Sequence, residues 1–264
     1  MDFDVRYLDY TFKHTTAPKP DLKAARYQPH FHTSYELLYF VRGDADFMIE
    51  SKLYKLKPGS LLIIKPGEYH NTVFRSEAPY ERYVIRFMPQ SIYSRLQKLL
   101  PKTKSVYYIE GTPLAAEFHR MDVHLNAVHD DVRVGACLGS LQIIIAYLVS
   151  SQGLIQSADY VNEQSRTIEK YVESHLSEIH CAEDIARALH MSKSTLYKTF
   201  SAQFQTPLMS YIRTRKCMAA RTMLFEGLPA TEVAERLGFA HYSSFYRDYC
   251  QVFGAPPTSA RETN

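Results

Sequence analysis

Three histidines and a glutamate stand at spacings that suit ligand or metal chemistry. His30-Phe31-His32 sets two imidazoles two residues apart, on one side of an extended segment. Glu36 follows, with Gly43 beyond it, and His70 closes the run Pro66-Gly67-Glu68-Tyr69-His70. Two or three imidazoles with one carboxylate are a sensible donor set for a divalent ion. The same groups would also serve a metal-free pocket as hydrogen-bonding partners for a small molecule. They could equally satisfy one another inside a β-structure. All three readings stay open at this level. The metal-free pocket is the one taken, with no metal, no cofactor and no catalytic residue expected; His30, His32, Glu36 and His70 are the residues a metal would use. Tyr39, with Tyr35, Tyr69 and Tyr83, offers amphipathic rings to such a pocket. The candidate effector-binding set is therefore His30, His32, Glu36, Tyr39 and His70. The tyrosines weigh little, because the chain holds 20 of them.

A different chemistry lies further on. From Ile185 to Phe225 there is no Asp or Glu, while Arg187, Lys193, Lys198, Arg213, Arg215, Lys216 and Arg221 all fall there. A one-sign stretch in an apolar-patterned region suits a polyanion. Inside it, residues 181–190 read as a short helix with a small residue, Ala186, at its centre. His190-Met191 makes a turn and Ser192 a helix cap. A second helix to Phe204 would bury Leu196 and Phe200 and expose Lys193, Ser194, Tyr197 and Lys198. The design recurs: residues 230–239 carry Ala234 at the centre and close on Gly238, and Ser243 reads as the next cap. The helix to Phe253 would bury Phe245 and Tyr249 and expose Tyr246 and Arg247. These are two helix-turn-helix units. A longer helix, 208–226, ended by Gly227 and Pro229, joins them. A rod of that length can hold two recognition helices about one DNA turn, roughly 34 Å, apart.

The remaining sequence must position these sets. The chain has 264 residues, 45% hydrophobic and 22% charged, enough apolar material for two domains. A net charge of +3 is too small to argue for nucleic acid by itself. Residues 1–25, polar and carrying Pro18 and Pro20, read as an N-terminal arm. From Tyr27 to Phe87, short runs of Tyr, Phe, Ile, Leu and Val are punctuated by Gly43-Asp44, Pro58-Gly59, Pro66-Gly67 and Pro79, the rhythm of an all-β sandwich or barrel. Arg42-Gly43-Asp44 reads as a hairpin turn. Leu114, Phe118, Met121, Leu125 and Val128 then recur at helical steps. A second helix, to about Ser150, carries the stripe Leu138, Leu141, Ile145 and Leu148, widened by Ile144 and Val149. This stripe would pack on the barrel or pair with its copy in a second chain as a coiled coil; the dimer is favoured. Its most apolar part, Ala136 to Val149, is shorter than a bilayer crossing, so no membrane partner is expected. Residues 151–164 are polar and read as a linker, and residues 166–176 as the first helix after it. Cys137, Cys181, Cys217 and Cys250 are scattered, which fits a reducing compartment. No secretory signal is apparent at the N-terminus, so a cytoplasmic protein is expected.

Two resemblances follow from these residues. The run H-x-H-x(3)-E-x(6)-G with the later P-G-x-x-H is similar to the two motifs of the cupin barrel, in whose enzymes the matching residues bind metal. Ala24 stands where the first motif's glycine is usual, and Phe74 where the second motif's asparagine is usual. The C-terminal half resembles the DNA-binding domain of the AraC/XylS family of transcription regulators. That likeness is carried by Asp184-Ile185-Ala186, His190 to Leu196, Tyr211-Ile212-Arg213, Ala220, Met223-Leu224, Val233-Ala234, Gly238-Phe239, Ser243 to Arg247, Phe253-Gly254, Pro257 and Arg261. Gln205, Lys216, Cys217 and Ala260 depart from the family's pattern, and Lys198 stands where Arg is frequent.

The resemblance implies an arm at 1–25, a cupin-like effector-binding and dimerisation domain with two following helices at 26–150, a linker at 151–164 and an all-α double helix-turn-helix domain at 165–264. It implies that Lys193, Ser194, Tyr197 and Lys198 reach DNA from the first unit, and His241, Ser243, Ser244 and Arg247 from the second. It further implies a regulator, usually an activator, that binds promoter DNA as a homodimer, contacts RNA polymerase and answers to a small molecule, sugars being frequent among them. Two alternatives remain beside it: a metal-dependent cupin enzyme, and a regulator whose barrel serves only to dimerise.

Overall fold

The computed structural model describes residues 3–7, 10–127, 130–150, 159–160, 163–204 and 206–261. The chain divides into two compact units, residues 1–49 with 53–159, and residues 50–52 with 160–264. Val128, Gln205 and most of the expected linker (151–158 and 161–162) lie outside the described residues.

The first unit is built on strands β1 (Phe3–Tyr7), β2 (Tyr10–Ala17), β3 (Tyr35–Arg42), β4 (Ala45–Ile49), β5 (Lys52–Lys55), β6 (Ser60–Ile64), β7 (His70–Phe74), β8 (Tyr80–Phe87) and β9 (Val106–Tyr108). A single helical turn α1 (Ser94–Gln97) precedes β9, and α2 (Pro113–Ala127) and α3 (Asp130–Ser150) follow it. A two-residue strand β10 (Asp159–Tyr160) comes next. One sheet has the order β1-β2-β8-β3-β6-β9 and the other β10-β5-β4-β7.

The middle of the larger sheet is largely buried on both faces. Strand β3, Tyr-Glu-Leu-Leu-Tyr-Phe-Val-Arg, has its first six residues buried. Such a continuous run is what a strand covered on both sides requires. Registered pairs share a face, so Phe12, Ile85, Leu37 and Ile63 line up across four strands. So do His14, Tyr83, Tyr39 and Leu61. That face packs against Phe118, Met121, Leu125, Leu141, Ile144, Ile145 and Leu148 of α2 and α3. The opposite face presents Leu38, Phe40, Leu62, Ile64 and Val84, which join Phe47 and Ile49 of the second sheet.

Several expectations change here. The segment expected as an arm contains β1 and β2, and β2 pairs along its length with β8. Its polar residues disguised it: Thr11, Lys13 and Thr15 face the inside of the barrel, where a cavity rather than apolar core receives them. The expected hairpin at Arg42-Gly43-Asp44 is a turn of another kind. β3 pairs with β6 and β8, and β4 with β7, so the chain passes here from one sheet to the other. Gly43 takes φ +144°, and a Cβ there would lie 2.8 Å from the Tyr80 ring. The stripe on α3 favoured for dimerisation is buried within the chain, with Leu141, Ile144, Ile145 and Leu148 packed on the sheet. Val132, Ile143 and Tyr147 are the exposed apolar residues of that helix. From Val132 to Ser150 the helix is long and apolar enough to cross a bilayer, with mean hydropathy 1.8, which corrects the shorter span expected.

The second unit holds α4 (Glu163–Ser174), α5 (Ala182–Ala188), α6 (Lys193–Phe204), α7 (Leu208–Phe225), α8 (Ala230–Arg236) and α9 (Tyr242–Phe253). The repeat seen in the sequence is a repeat of geometry. Helix α5 ends with Leu189 at φ −94°, ψ 8°, and α8 with Leu237 at φ −93°, ψ 8°. In the first copy the Met191 N–H donates to Ala186 O and the His190 N–H to Arg187 O. In the second the Phe239 N–H donates to Ala234 O and the Gly238 N–H to Glu235 O. Both are Schellman closures, which need a left-handed residue. Gly238 supplies it at φ 66° and His190 at φ 50°. The small centres Ala186 and Ala234 are buried as expected. Ser192 caps α6, its hydroxyl accepting the Thr195 N–H at 3.1 Å. Ser243 does not cap α9: the helix begins at Tyr242, and His241 holds the cap position without a side-chain bond.

Gly238 also sits against the loop after α4, where an added Cβ would fall 1.9 Å from Ser177 O. Gly238→Ala should therefore destabilise the second unit by about 2–4 kcal/mol, from backbone overlap and left-handed strain together. Chemical denaturation of the variant against wild type checks this.

Candidate functional site

Period-two alternation builds the first site. Glu36, Leu38 and Phe40 of β3 register with Arg86, Val84 and Arg82 of β8, which register in turn with Thr11, Lys13 and Thr15 of β2. All but Phe40 line a cavity of about 560 Å³. His30, His70, Asn71, Thr72 and Arg26 complete much of its wall.

The motif histidines meet as their spacing suggested. His30 and His70 are backbone partners, the His30 N–H donating to His70 O (3.2 Å) and the His70 N–H to His30 O (2.9 Å). The His70 ring lies 4.4 Å from that of His30 and 4.8 Å from that of His32. Residues 31–34 form no regular strand. Each ring is oriented by a backbone carbonyl: Nδ1 of His30 on Gln28 O (2.8 Å), of His32 on Ser34 O (2.9 Å) and of His70 on Glu68 O (2.8 Å). A carbonyl can only accept, so these Nδ1 atoms donate, and the Nε2 atoms of His30 and His70 are left as acceptors while the rings are neutral.

Glu36 is buried and accepts twice on Oε2, from His32 Nε2 at 3.1 Å and Arg86 Nε at 2.6 Å. Burial alone would raise its carboxyl. The His32 hydrogen bond and the charges of His70, Arg86 and His32 outweigh that and hold it well below the usual carboxylate range. Burial pushes His70 down to about 3 against the pull of Glu36, and it lowers His30 as well. Side-chain donor atoms of His32, Glu36 and His70 all lie within 4.8 Å of one another. The set suits a borderline divalent ion, with the Arg86 guanidinium competing for the carboxylate.

Tyr39 does not belong to the cavity. It lies on the helix-facing side of β3, its ring 4.7 Å from Phe118. Strand parity decides this: Glu36 is even and points inward, so Tyr35 and Tyr39 point outward, as Tyr83 does on β8. Near Tyr39 lies an unexpected polar cluster. His14 has one ring nitrogen 3.2 Å from Asp122 and the other 3.0 Å from Glu81, and its ring stacks on Tyr83 at 4.0 Å. The Tyr83 hydroxyl donates to Asp122. Among the cavity residues that the motifs missed are Arg82 and Arg86. Their signal is two arginines at even positions of a strand, Tyr80 to Phe87, that is otherwise apolar apart from Glu81.

The second site is the pair of second helices. On α6, Lys193, Ser194, Tyr197 and Lys198 are exposed while Leu196 and Phe200 are buried. Lys193 Nζ pairs with Glu183 of α5. On α9, His241, Ser243 and Arg247 are exposed, Ser244 is half-buried, and Phe245 and Tyr249 are buried. The basic residues of α7 separate by role. Arg213 is exposed, and Arg215 pairs with Glu173 at 3.3 Å. Arg221 lies 4.9 Å over the Phe253 ring. Lys216 is buried and donates to Ile179 O (2.9 Å) and Gly238 O (3.4 Å). It is a structural tie rather than a phosphate contact.

Two families of known domains match the chain, one in each half. The AraC-like ligand binding domain family matches residues 19–134, and a helix-turn-helix domain family matches residues 185–263. The chain belongs to the AraC family of transcription regulators. Among relatives, the uncharacterised HTH-type transcriptional regulator YobQ of Bacillus subtilis is 26% identical over 90% of each chain. The transcriptional activator NphR of a Rhodococcus species is 26% identical over 75% of this chain and 63% of its own. The HTH-type transcriptional activator RhaS of Salmonella arizonae is 20% identical over 89% of this chain and 88% of its own. Among solved structures, ToxT of Vibrio cholerae aligns with 97% of this chain and 99% of its own at 13% identity and TM-score 0.40.

The buried histidines set an acid limit on stability. The unfolded chain takes up protons at its histidines near the ordinary value of 6.5, while native His70 resists until about 3. The unfolded state then binds more protons, so stability falls as pH drops below 6.5. His30 acts with the same sign. Glu36, lowered in the native state, contributes stability that is present above the ordinary 4.5 and lost only at more acid pH. Thermal midpoints measured from pH 7.5 to 4.5 should fall, and His70→Asn should flatten the profile. A wild-type profile already flat over that range would contradict the buried neutral imidazole.

Proposed function

We propose that this regulator is cytoplasmic, binds promoter DNA in a sequence-specific manner through α6 and α9, and takes its signal from a small molecule held in the barrel. The observation that carries this is the duplicated helix pair with a polar, exposed face on the second helix of each copy. Lys193, Ser194, Tyr197 and Lys198 act from α6, and His241, Ser243, Ser244 and Arg247 from α9. Arg247, free on an exposed face apart from a 3.8 Å approach to Asp248, has the planar fork for guanine or phosphate. Lys198 is the point charge of the first unit. Helix α7, with 18 residues, spans about 27 Å, which suits two successive major grooves on one face of the duplex.

In this reading residues 26–150 form the effector domain and 165–264 the DNA domain. The effector sits among His30, His32, Glu36 and His70, and its differential affinity for two arrangements of the protein changes promoter occupancy. It is carbohydrate-like, in keeping with the polar wall of Thr11, Thr15, Asn71 and Thr72. The protein acts as an activator, as two relatives are named, and touches RNA polymerase. It works as a homodimer. The buried stripe of α3 is unavailable for this, so the contact uses the face with Val132, Ile143 and Tyr147. Catalysis has no part in the proposal.

Purified protein should shift DNA from upstream of its own gene, with affinity falling steeply between 50 and 200 mM salt. Arg247→Ala and Lys198→Ala should each weaken binding about 10-fold or more, with unchanged circular dichroism. If both variants bind like wild type, the assignment of α6 and α9 as recognition helices is wrong.

A further inference from the structure

The barrel cavity contains a guanidinium that no carboxylate pairs with directly, Glu36 acting on it only at a distance. Arg82 is 9% exposed, and its Nε and Nη1 are buried without a hydrogen-bond partner. It lies 4.9 Å over the Tyr27 ring and 5.1 Å over the Tyr80 ring. Among the described residues no carboxylate comes within ion-pair distance of it. Glu36, the one acid in the wall, is already taken by Arg86 and His32. A buried, always-charged group with open donors is strongly unfavourable unless a partner arrives. Arg82 points into the cavity with Arg86 two residues beyond Val84 on the same face, and Lys13 lines the adjoining strand. The wall is therefore set for an anion.

The opposite need appears at His70. Its Nδ1 is committed to Glu68 O, and its buried Nε2 has no partner. That atom is an acceptor waiting for an O–H or N–H. The cavity thus has unmet donors on β8 and an unmet acceptor on β7, among polar side chains.

We infer that the effector is a small hydroxylated organic acid, a sugar acid or similar hydroxycarboxylate. Its carboxylate lies on the Arg82 guanidinium fork, which matches it bidentately, and one of its hydroxyls donates to His70 Nε2. The inference rests on the proposal that the barrel holds the effector, and it replaces a neutral sugar by an anionic one.

The test is thermal unfolding of the full-length protein with glucuronate, gluconate, glucose and acetate at matched ionic strength. The upstream-DNA shift is measured in parallel. Glucuronate or gluconate should raise the midpoint by about 3 °C or more, beyond glucose and beyond hydroxyl-free acetate. Arg82→Met should abolish the response, and Arg82→Lys, which keeps charge but not the fork, should leave a reduced one. His70→Phe should remove the advantage of the hydroxylated acids over acetate. An equal response to glucose and glucuronate, a response that survives Arg82→Met, or no response to either sugar acid overturns the inference. A retained DNA shift alongside any of these leaves the regulator assignment standing, while loss of the shift in wild type counts against that assignment instead.

Discussion

Strands β3 and β8 are covered on both faces, and the alternation of side chains along them decides what each half of the first unit can do. One parity faces α2 and α3 and supplies Leu37, Tyr39, Tyr83 and Ile85 to the core. The other faces inward and supplies Glu36, Arg82, Val84 and Arg86 to the cavity. Nothing between these two assignments is available, because a one-residue slip would exchange every side chain between them. Two arginines would then meet the apolar faces of two helices, and Tyr83 and Ile85 would fill the pocket. The ion pair of Arg86 with Glu36 helps pin the register that keeps the faces apart.

The same parity explains what could be read from the sequence. The helix pairs of the second unit were legible because their signals are local: Ser192 before α6, a left-handed closure at Gly238, and apolar residues at three- and four-residue steps. The meeting of His30, His32, Glu36 and His70 was legible because it rests on a motif with fixed spacing. Strand pairing was not, since Gly43 announces a change of direction and says nothing about which sheet receives the chain. β2 was missed because its inward residues, Thr11, Lys13 and Thr15, face a cavity, and a strand with a polar inside lacks the apolar alternation that identifies strands. Tyr39 was misplaced for want of parity counting from Glu36. Arg82 belongs to no motif, and only its neighbours across the sheet place it in the cavity.

The two units of the DNA domain show how one local geometry tolerates different residues. His190 and Gly238 hold equivalent left-handed positions, but only the second is crowded by another backbone, at Ser177. Histidine bears a modest conformational cost at the first. At the second, side-chain volume itself is excluded. Likewise Cys181 stands where a serine or threonine would be usual, and Asp184 still closes the box by accepting the N–H groups of His180 and Cys181 at 2.9 Å each.

Lys216 has a consequence beyond packing. Its ammonium, desolvated by burial and lowered in pKa for that reason, holds the carbonyl of Ile179, in the loop leading to α5, and that of Gly238, at the turn leading to α9. One amine thus clamps the approaches to both helix pairs and fixes their angular phase about α7. In the proposed mode, with α6 and α9 in successive grooves of a duplex that turns by about 34° per base pair, a fixed phase makes the operator's tolerance a matter of rotation more than of distance. Removing one base pair between half-sites shortens the span only slightly, yet swings the second groove away from α9. The cell would read such a site by its helical face before it read its length.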